Sequence, residues 1–199
     1  MKKITVLLLL AAGGWFWWHE PAAHWKGQPA ARDPVQTETG LPPPFTHEAY
    51  TITPLARYEI KAVVLARERY RYDPAAPLSP VDLALGWGPM SVAAVINDLT
   101  IHQSGRWYEY TFHDEPPLDP ELIAGHSANT HCLPSTPALR RQLLAVKRHD
   151  VVTLDGYLVE VRGPGGYRWR SSLSRTDTRG GACEVLWITR LETALPPPQ

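Results

Sequence analysis

The sequence predicts an α+β fold: a small curled antiparallel sheet, or a barrel of the oligonucleotide/oligosaccharide-binding (OB) type, with two short helices. Three observations predict it. Short stretches of apolar alternation recur down the chain, separated by glycine- and proline-rich turns. Two proline-opened stretches carry apolar residues at helical spacing instead. The alternation changes frame at Asp155-Gly156, which reads as a bulge, and bulges bend strands enough for a small sheet to curl. An N-terminal membrane helix and a proline-rich tether are expected ahead of this domain. The boundaries are residues 1–18 for a signal anchor or signal peptide, 19–54 for the tether, 55–192 for the domain and 193–199 for a disordered tail.

Met1-Lys2-Lys3 followed by ITVLLLLAAGG has the form of an export signal. Either it is cut near Ala12, or the apolar run continues through Trp15-Phe16-Trp17-Trp18 and stays as an anchor. The anchor is the better reading. Four large aromatics are unfavourable at a floppy terminus in water and favourable among lipid headgroups. Residues 4–18 are short for a span at about 1.5 Å per residue, so the aromatics would form its outer belt. In both cases the lysines stay in the cytoplasm and the rest is exported, placing the domain in the bacterial periplasm (or outside the cell, if cleaved). From His19 to Pro54 the chain carries seven prolines without apolar periodicity, a composition that resists packing.

Tyr58, Ile60, Ala62 and Val64 alternate with polar residues, as in a strand with one buried face. Gly88-Pro89 opens a helix whose stripe is Val92, Val95, Ile96 and Leu99, proline being suited to a first turn. Ile101 to Phe112 reads as a hairpin turning at Ser104-Gly105. His126 to Cys132 (HSANTHC) reads as a loop. Ser135 or Thr136 caps a second helix with Pro137 in its first turn and Leu139, Leu143, Leu144 and Val146 buried. Strands from Val152 to Val161 and from Tyr167 to Leu173 flank a turn at Gly163-Pro164-Gly165-Gly166. Val185 to Ile188, apolar on both faces, belongs centrally in the sheet.

Net formal charge is zero, so the whole chain has no strong field for nucleic acid. Acidic residues are in excess over Thr46–Thr136 and basic ones over Pro137–Gln199. Two readings stay open: an anion-binding face on the C-terminal half, or two solvated faces that partly neutralise each other. Trp169 and Tyr167 alternate with Arg168 and Arg170, which places core on one side and charge on the other. Export leaves nucleic acid as a partner only where DNA uptake or transfer is involved.

The chain has two cysteines, and in an oxidising compartment Cys132 and Cys183 most simply form a disulfide. The rivals are a metal site of His126, His131, Cys132 and Cys183, whose spacing matches no zinc finger, and two unpaired structural thiols. A disulfide would gather His126, Ser127, Asn129 and His131 near Ser172, Arg175, Asp177 and Glu184. Ser127, Asn129, Ser172, Arg175 and Glu184 are then candidate ligand-binding residues. His126, His131 and Asp177 are the candidate catalytic set of an exported hydrolase, with or without a metal. No nucleophile elbow, H-E-x-x-H, phosphate loop or G-x-G-x-x-G accompanies them, so no cofactor is expected.

Gly86-Trp87-Gly88-Pro89-Met90, His126-Ser127-Ala128-Asn129, Ser171 to Asp177 and Ala182-Cys183-Glu184 together resemble a group of predicted exported bacterial proteins with no assigned activity. The resemblance spans about Ala56 to Leu191 and implies a bacterial origin without assigning a site. The functional expectation is a membrane-anchored periplasmic binding or assembly domain for an envelope protein or other envelope ligand. The hydrolase is the alternative.

Overall fold

A computed structural model describes residues 29–174 and 183–194; the expected anchor (residues 1–18) lies outside them. In chain order they form β1 (Val35–Thr37), β2 (Phe45–His47), β3 (Tyr50–Arg69), β4 (Val81–Gly86), α1 (Ala93–Asn97), β5 (Thr100–Ser104) and β6 (Trp107–Thr111). There follow α2 (Pro120–Gly125), β7 (Ser127–Pro134), α3 (Pro137–Ala145), β8 (Val151–Arg162), β9 (Arg168–Arg170) and β10 (Glu184–Ala194). The fold class is α+β with a curled sheet. Among the described residues no helix is long and apolar enough to cross a membrane.

The curl is complete in one part of the sheet. β3 pairs with β4, β4 with β7, β7 with β10, β10 with β8, and β8 returns to β3. All are antiparallel except β7–β10, which is parallel. Alternate residues therefore face one enclosed core: Ile60, Ala62 and Val64 from β3, Leu83 and Leu85 from β4, Cys132 from β7, Leu154 and Leu158 from β8, and Leu186 and Ile188 from β10. Helix α3 adds Leu139 and Leu143 to this core, and its Thr136 cap accepts from Leu139 N at 3.2 Å. Outside the curl, Met90, Ile96, Leu99 and Ile123 cover Val63, Leu65 and Ala84. A third cluster joins Ile52, Leu78, Leu133, Val159, Val161, Val185 and Trp187.

Several expectations need correction. Residues assigned to the tether enter the fold: β1 pairs with Arg57–Glu59, β2 pairs with β3, and β3 itself begins at Tyr50. Strands of three residues are too short to show a period. Their prolines flank them, and Pro54 sits where β3 shifts register against β8. The HSANTHC segment is mostly the strand β7, paired with β4 from Ser127 to Cys132 and with β10 from Thr130 onward. The helix expected from Gly88 splits into a 3-10 turn, Gly88–Ser91, and α1. The strand expected over Tyr167–Leu173 shrinks to β9, and β10 continues to Ala194, into the stretch expected as tail from residue 193; residues 195–199 lie outside the described residues.

The bulge at Asp155-Gly156 is present in the pairing, but the extra residue belongs to the partner strand. Ile188 faces Gly156 and Arg190 faces Asp155, leaving Thr189 unpaired in the ladder. β8 keeps its alternation throughout. Its frame seems to change in the sequence because both faces are buried: Val152, Leu154 and Leu158 inside, Val159 and Val161 in the outer cluster.

The turn between α3 and β8 is held to β3 by His149 N donating to Val64 O at 2.7 Å, with His149 at a φ of 70°. Burial, aided by repulsion from Arg148, pushes the His149 imidazole down from 6.5 to about 4. The unfolded chain therefore takes up a proton near pH 6.5 that the folded chain refuses until about pH 4. This contribution to stability is full above pH 6.5 and is lost as pH falls toward 4. His149→Asn, which tolerates a positive φ, should flatten the fall in Tm between pH 6.5 and 4. Parallel pH profiles for wild type and variant would refute this.

Candidate functional site

The outer face of β4, β7 and β10 carries the site. Asp82 stands directly opposite His131 in the β4–β7 register, and His131 stands opposite Val185 in the β7–β10 register. One row along, Ala84 faces Asn129, and Cys183, just before Glu184, falls beside Asn129. Asp82, His131, Asn129 and Cys183 thus share one sheet face by pleat and pairing alone.

Asp82 is fully buried. One carboxylate oxygen accepts from Arg106 Nη1 at 2.9 Å and from Ser79 Oγ at 3.2 Å. The other lies 2.8 Å from His131 Nδ1. Arg106 reaches this face from the tip of the β5–β6 hairpin, where Gly105 and Arg106 both take positive φ, the geometry of a type I′ turn. A left-handed Arg is uncommon, and here the side chain explains it. Its Nη2 also donates to Asp73 Oδ1 at 2.8 Å and to Ser79 O at 3.1 Å, while its backbone N donates to Tyr70 Oη at 2.9 Å. The guanidinium lies 4.0 Å from the Tyr70 ring centroid and 5.3 Å from that of Trp169. The Arg106 hydrogen bonds hold the Asp73 carboxyl below its usual range.

Over this buried network opens a cleft of about 460 Å³. Asp73, Pro74 and Ala75 form one wall, Tyr167 to Arg170 the other, Trp107 one end, and Arg106, His131 and Cys183 the floor. The Trp169 and His131 ring centroids are 4.5 Å apart. Burial, with the neighbouring Tyr50, pushes Tyr167 up to about 12, so it remains a neutral phenol. Beside the cleft Glu160 accepts from Arg168, Arg162 and Arg170. Three guanidiniums around one carboxylate leave a local positive excess. They hold Glu160 down at about 2, Arg168 contributing most. This group stabilises the fold above its unfolded value of 4.5, and the effect is lost as pH falls from 4.5 toward 2.

The expected Cys132–Cys183 disulfide is not formed. Cys132 points into the enclosed core opposite Leu186, whereas Cys183 lies three residues before Leu186, just ahead of β10, and lines the outward-facing cleft. Opposite faces cannot be bridged across that separation. Burial pushes the Cys132 thiol well above its ordinary value, so it is an inert core residue. The four-residue metal alternative fails for the same reason, and no group suited to a metal occurs among the described residues.

His126 is separated from His131. Its Nδ1 lies 2.8 Å from Leu122 O, its ring packs against Gly88, and its Nε2 is 4.0 Å from Asp33 Oδ1. Ser127 Oγ donates to Ile123 O and meets Tyr108 Oη at 2.9 Å. Asn129 is buried, with Nδ2 donating to Arg106 O at 2.8 Å and to Cys183 Sγ at 3.7 Å, and its Oδ1 accepting from Gln103. Ser172 Oγ closes a local turn with Ser174, and Glu184 is buried on the inner phase of β10. Arg175 and Asp177 lie outside the described residues. Of the expected binding residues, Asn129 reaches the cleft network; Ser127 bonds to the end of α2 and to Tyr108 of β6, and the Ser172 hydroxyl bonds to Ser174.

Asp82, Arg106, Asp73 and Ser79 were missed. One signal was available for Asp82: a lone carboxylate inside the apolar run VDLALG. Such a charge, if buried, needs partners. An α+β domain whose curled sheet bears a charged, aromatic cleft on its outer face is the class that fold and site define. No protein-family model matches the chain, and no curated protein or solved structure is significantly similar to it.

Proposed function

We propose that this chain is a binding domain of the bacterial cell envelope, held at the inner membrane by residues 4–18, that takes an extended anionic ligand in its cleft. The position of the cleft carries this reading. With β3, β4, β7, β8 and β10 numbered one to five, the order around the curl is 1-2-3-5-4, returning to 1, and strands three and five are parallel. That order, with α3 between strands three and four, supports a barrel of the OB type. Such barrels bind extended ligands on the face of strands two and three, between the loops joining strands one to two and four to five. Asp73–Ala75 and Tyr167–Arg170 belong to those two loops, and His131 to that face.

The lining indicates the ligand's chemistry. Trp169, Tyr167 and Trp107 offer flat apolar surfaces, and Arg168 and Arg170, which alternate with the aromatics and pair with Glu160 on the opposite face of β9, add positive charge at the rim that favours carboxylates. In the periplasm, a glycan bearing carboxylates fits both better than nucleic acid does. The expected result is that the full chain in detergent binds soluble peptidoglycan strands, with affinity falling as salt rises. Trp169→Ala should weaken binding roughly tenfold to a hundredfold, by analogy with other stacking platforms, and keep a cooperative melt. Calorimetric titration decides: unchanged affinity in Trp169→Ala excludes the cleft, and no binding by wild type excludes this ligand.

A further inference from the structure

We propose that the cleft is also a site of covalent chemistry, in which Cys183 attacks the carbonyl carbon of an acyl ester with His131 as its base and Asp82 orienting the imidazole. The argument starts from pairing. His131 on β7 and Cys183, the residue just before β10, are diagonal neighbours when the parallel register is continued by one residue, and both line the cleft. With neighbouring strands about 4.8 Å apart and a rise of about 3.3 Å per residue, this offset puts the backbones roughly 8 Å apart, within reach of a ring and a thiol through one water.

His131 is 3% exposed, and its Nδ1 is committed to Asp82 at 2.8 Å. That contact fixes the ring and turns Nε2 away from Asp82, toward the cleft that His131 lines. A buried imidazole oriented by a carboxylate, in the same cleft as a thiol, supplies the parts of a nucleophile, base and orienting group. Asn129 Nδ2 donates to Cys183 Sγ at 3.7 Å, which favours the thiolate, and the Arg106 guanidinium lies along the same floor.

The step balances without an oxidant or a metal. The thiol proton passes to His131 Nε2 and the Sγ–C bond forms. The C–O bond to the leaving alcohol then breaks, and that oxygen takes the proton from His131. Water, losing a proton to the same nitrogen, cleaves the thioester, yielding a carboxylic acid and restoring the thiol. This reaction goes beyond ligand binding, and the two can fail separately.

The test uses the full chain in detergent with p-nitrophenyl acetate as probe, followed by p-nitrophenolate release and intact and peptide mass. The expected result is acetyl transfer to Cys183, at pH 7 at least about tenfold faster than to N-acetylcysteine. Its pH midpoint should lie below about 7.5, against roughly 8.5 for an ordinary thiol. His131→Gln should return both rate and midpoint to the ordinary values; Cys132→Ala should change neither. If His131→Gln does not fold, the wild-type pH midpoint decides alone. Acetylation confined to other residues, or a Cys183 rate and midpoint equal to those of N-acetylcysteine, would overturn the proposal. Cys183→Ser that still binds peptidoglycan strands but takes no acetyl group would separate this chemistry from the binding reading.

Discussion

Asp82→Asn should lower the Tm by roughly 10 °C. Asp82 has no solvent exposure and accepts from Arg106, Ser79 and the His131 ring. Asparagine keeps the shape and removes the charge. The Arg106 guanidinium, whose side chain is only 13% exposed, then loses one of its two carboxylates while still largely withdrawn from water. Removing one partner of a buried pair costs about 3–5 kcal/mol. In a domain of this size each kcal/mol shifts the Tm by about 2–4 °C. Arg106→Gln should cost a comparable amount, and the double variant clearly less than the sum, because the two share one interaction. Thermal melts by circular dichroism test this. A melt within about 2 °C of wild type for Asp82→Asn would show that the network does not hold the domain together.

Gly156→Ala should be at least as damaging, through steric overlap alone. A Cβ at Gly156 would lie 2.0 Å from Trp187 O and 2.9 Å from Trp187 C. Both are backbone atoms of the neighbouring strand, so no side-chain rotation relieves the overlap. β10 would have to leave β8 beside its own bulge at Thr189. Overpacking usually costs about 1–3 kcal/mol and more where the neighbours cannot shift. Here we expect loss of soluble folded protein, or a melt at least about 10 °C lower. Gly125→Ala is the matched control. A Cβ at Gly125 meets nothing within 4 Å, and the residue sits at the end of α2. Equal expression and equal Tm for the two variants would refute the steric argument.

The two effects explain why parts of this protein were legible before the structure and parts were not. The helix at Pro137 was readable because its signals are local: a cap at Ser135 or Thr136, which the structure gives to Thr136, a first-turn proline and an apolar stripe in which only Leu144 is less buried than expected. So was the central place of Val185–Ile188, because a run apolar on both faces has few other homes. The Ile101–Phe112 hairpin was placed correctly, with its turn one residue off, at Gly105-Arg106. Residues 126–132 were misread because His, Ser, Asn and Thr are ordinary loop residues. Inside β7 their polar groups are met by neighbours from other elements: Gln103, Arg106, Tyr108 and Asp82.

Residue order alone determined the class of the fold, the helix at Pro137, the central last strand and the presence of alternating strands, since each depends on contacts within a few positions. Which residues form the site was decided only by tertiary structure. Asp82 meets His131 across 49 positions through strand register, and Arg106 across 24 through the packing of the β5–β6 hairpin tip, neither of them through local spacing. The same holds for the cysteines. Their number and compartment pointed to a bond, but the pleat sends Cys132 into the core and Cys183 into the cleft. A strand's faces alternate residue by residue, so one step of register decides whether a side chain becomes packing or chemistry.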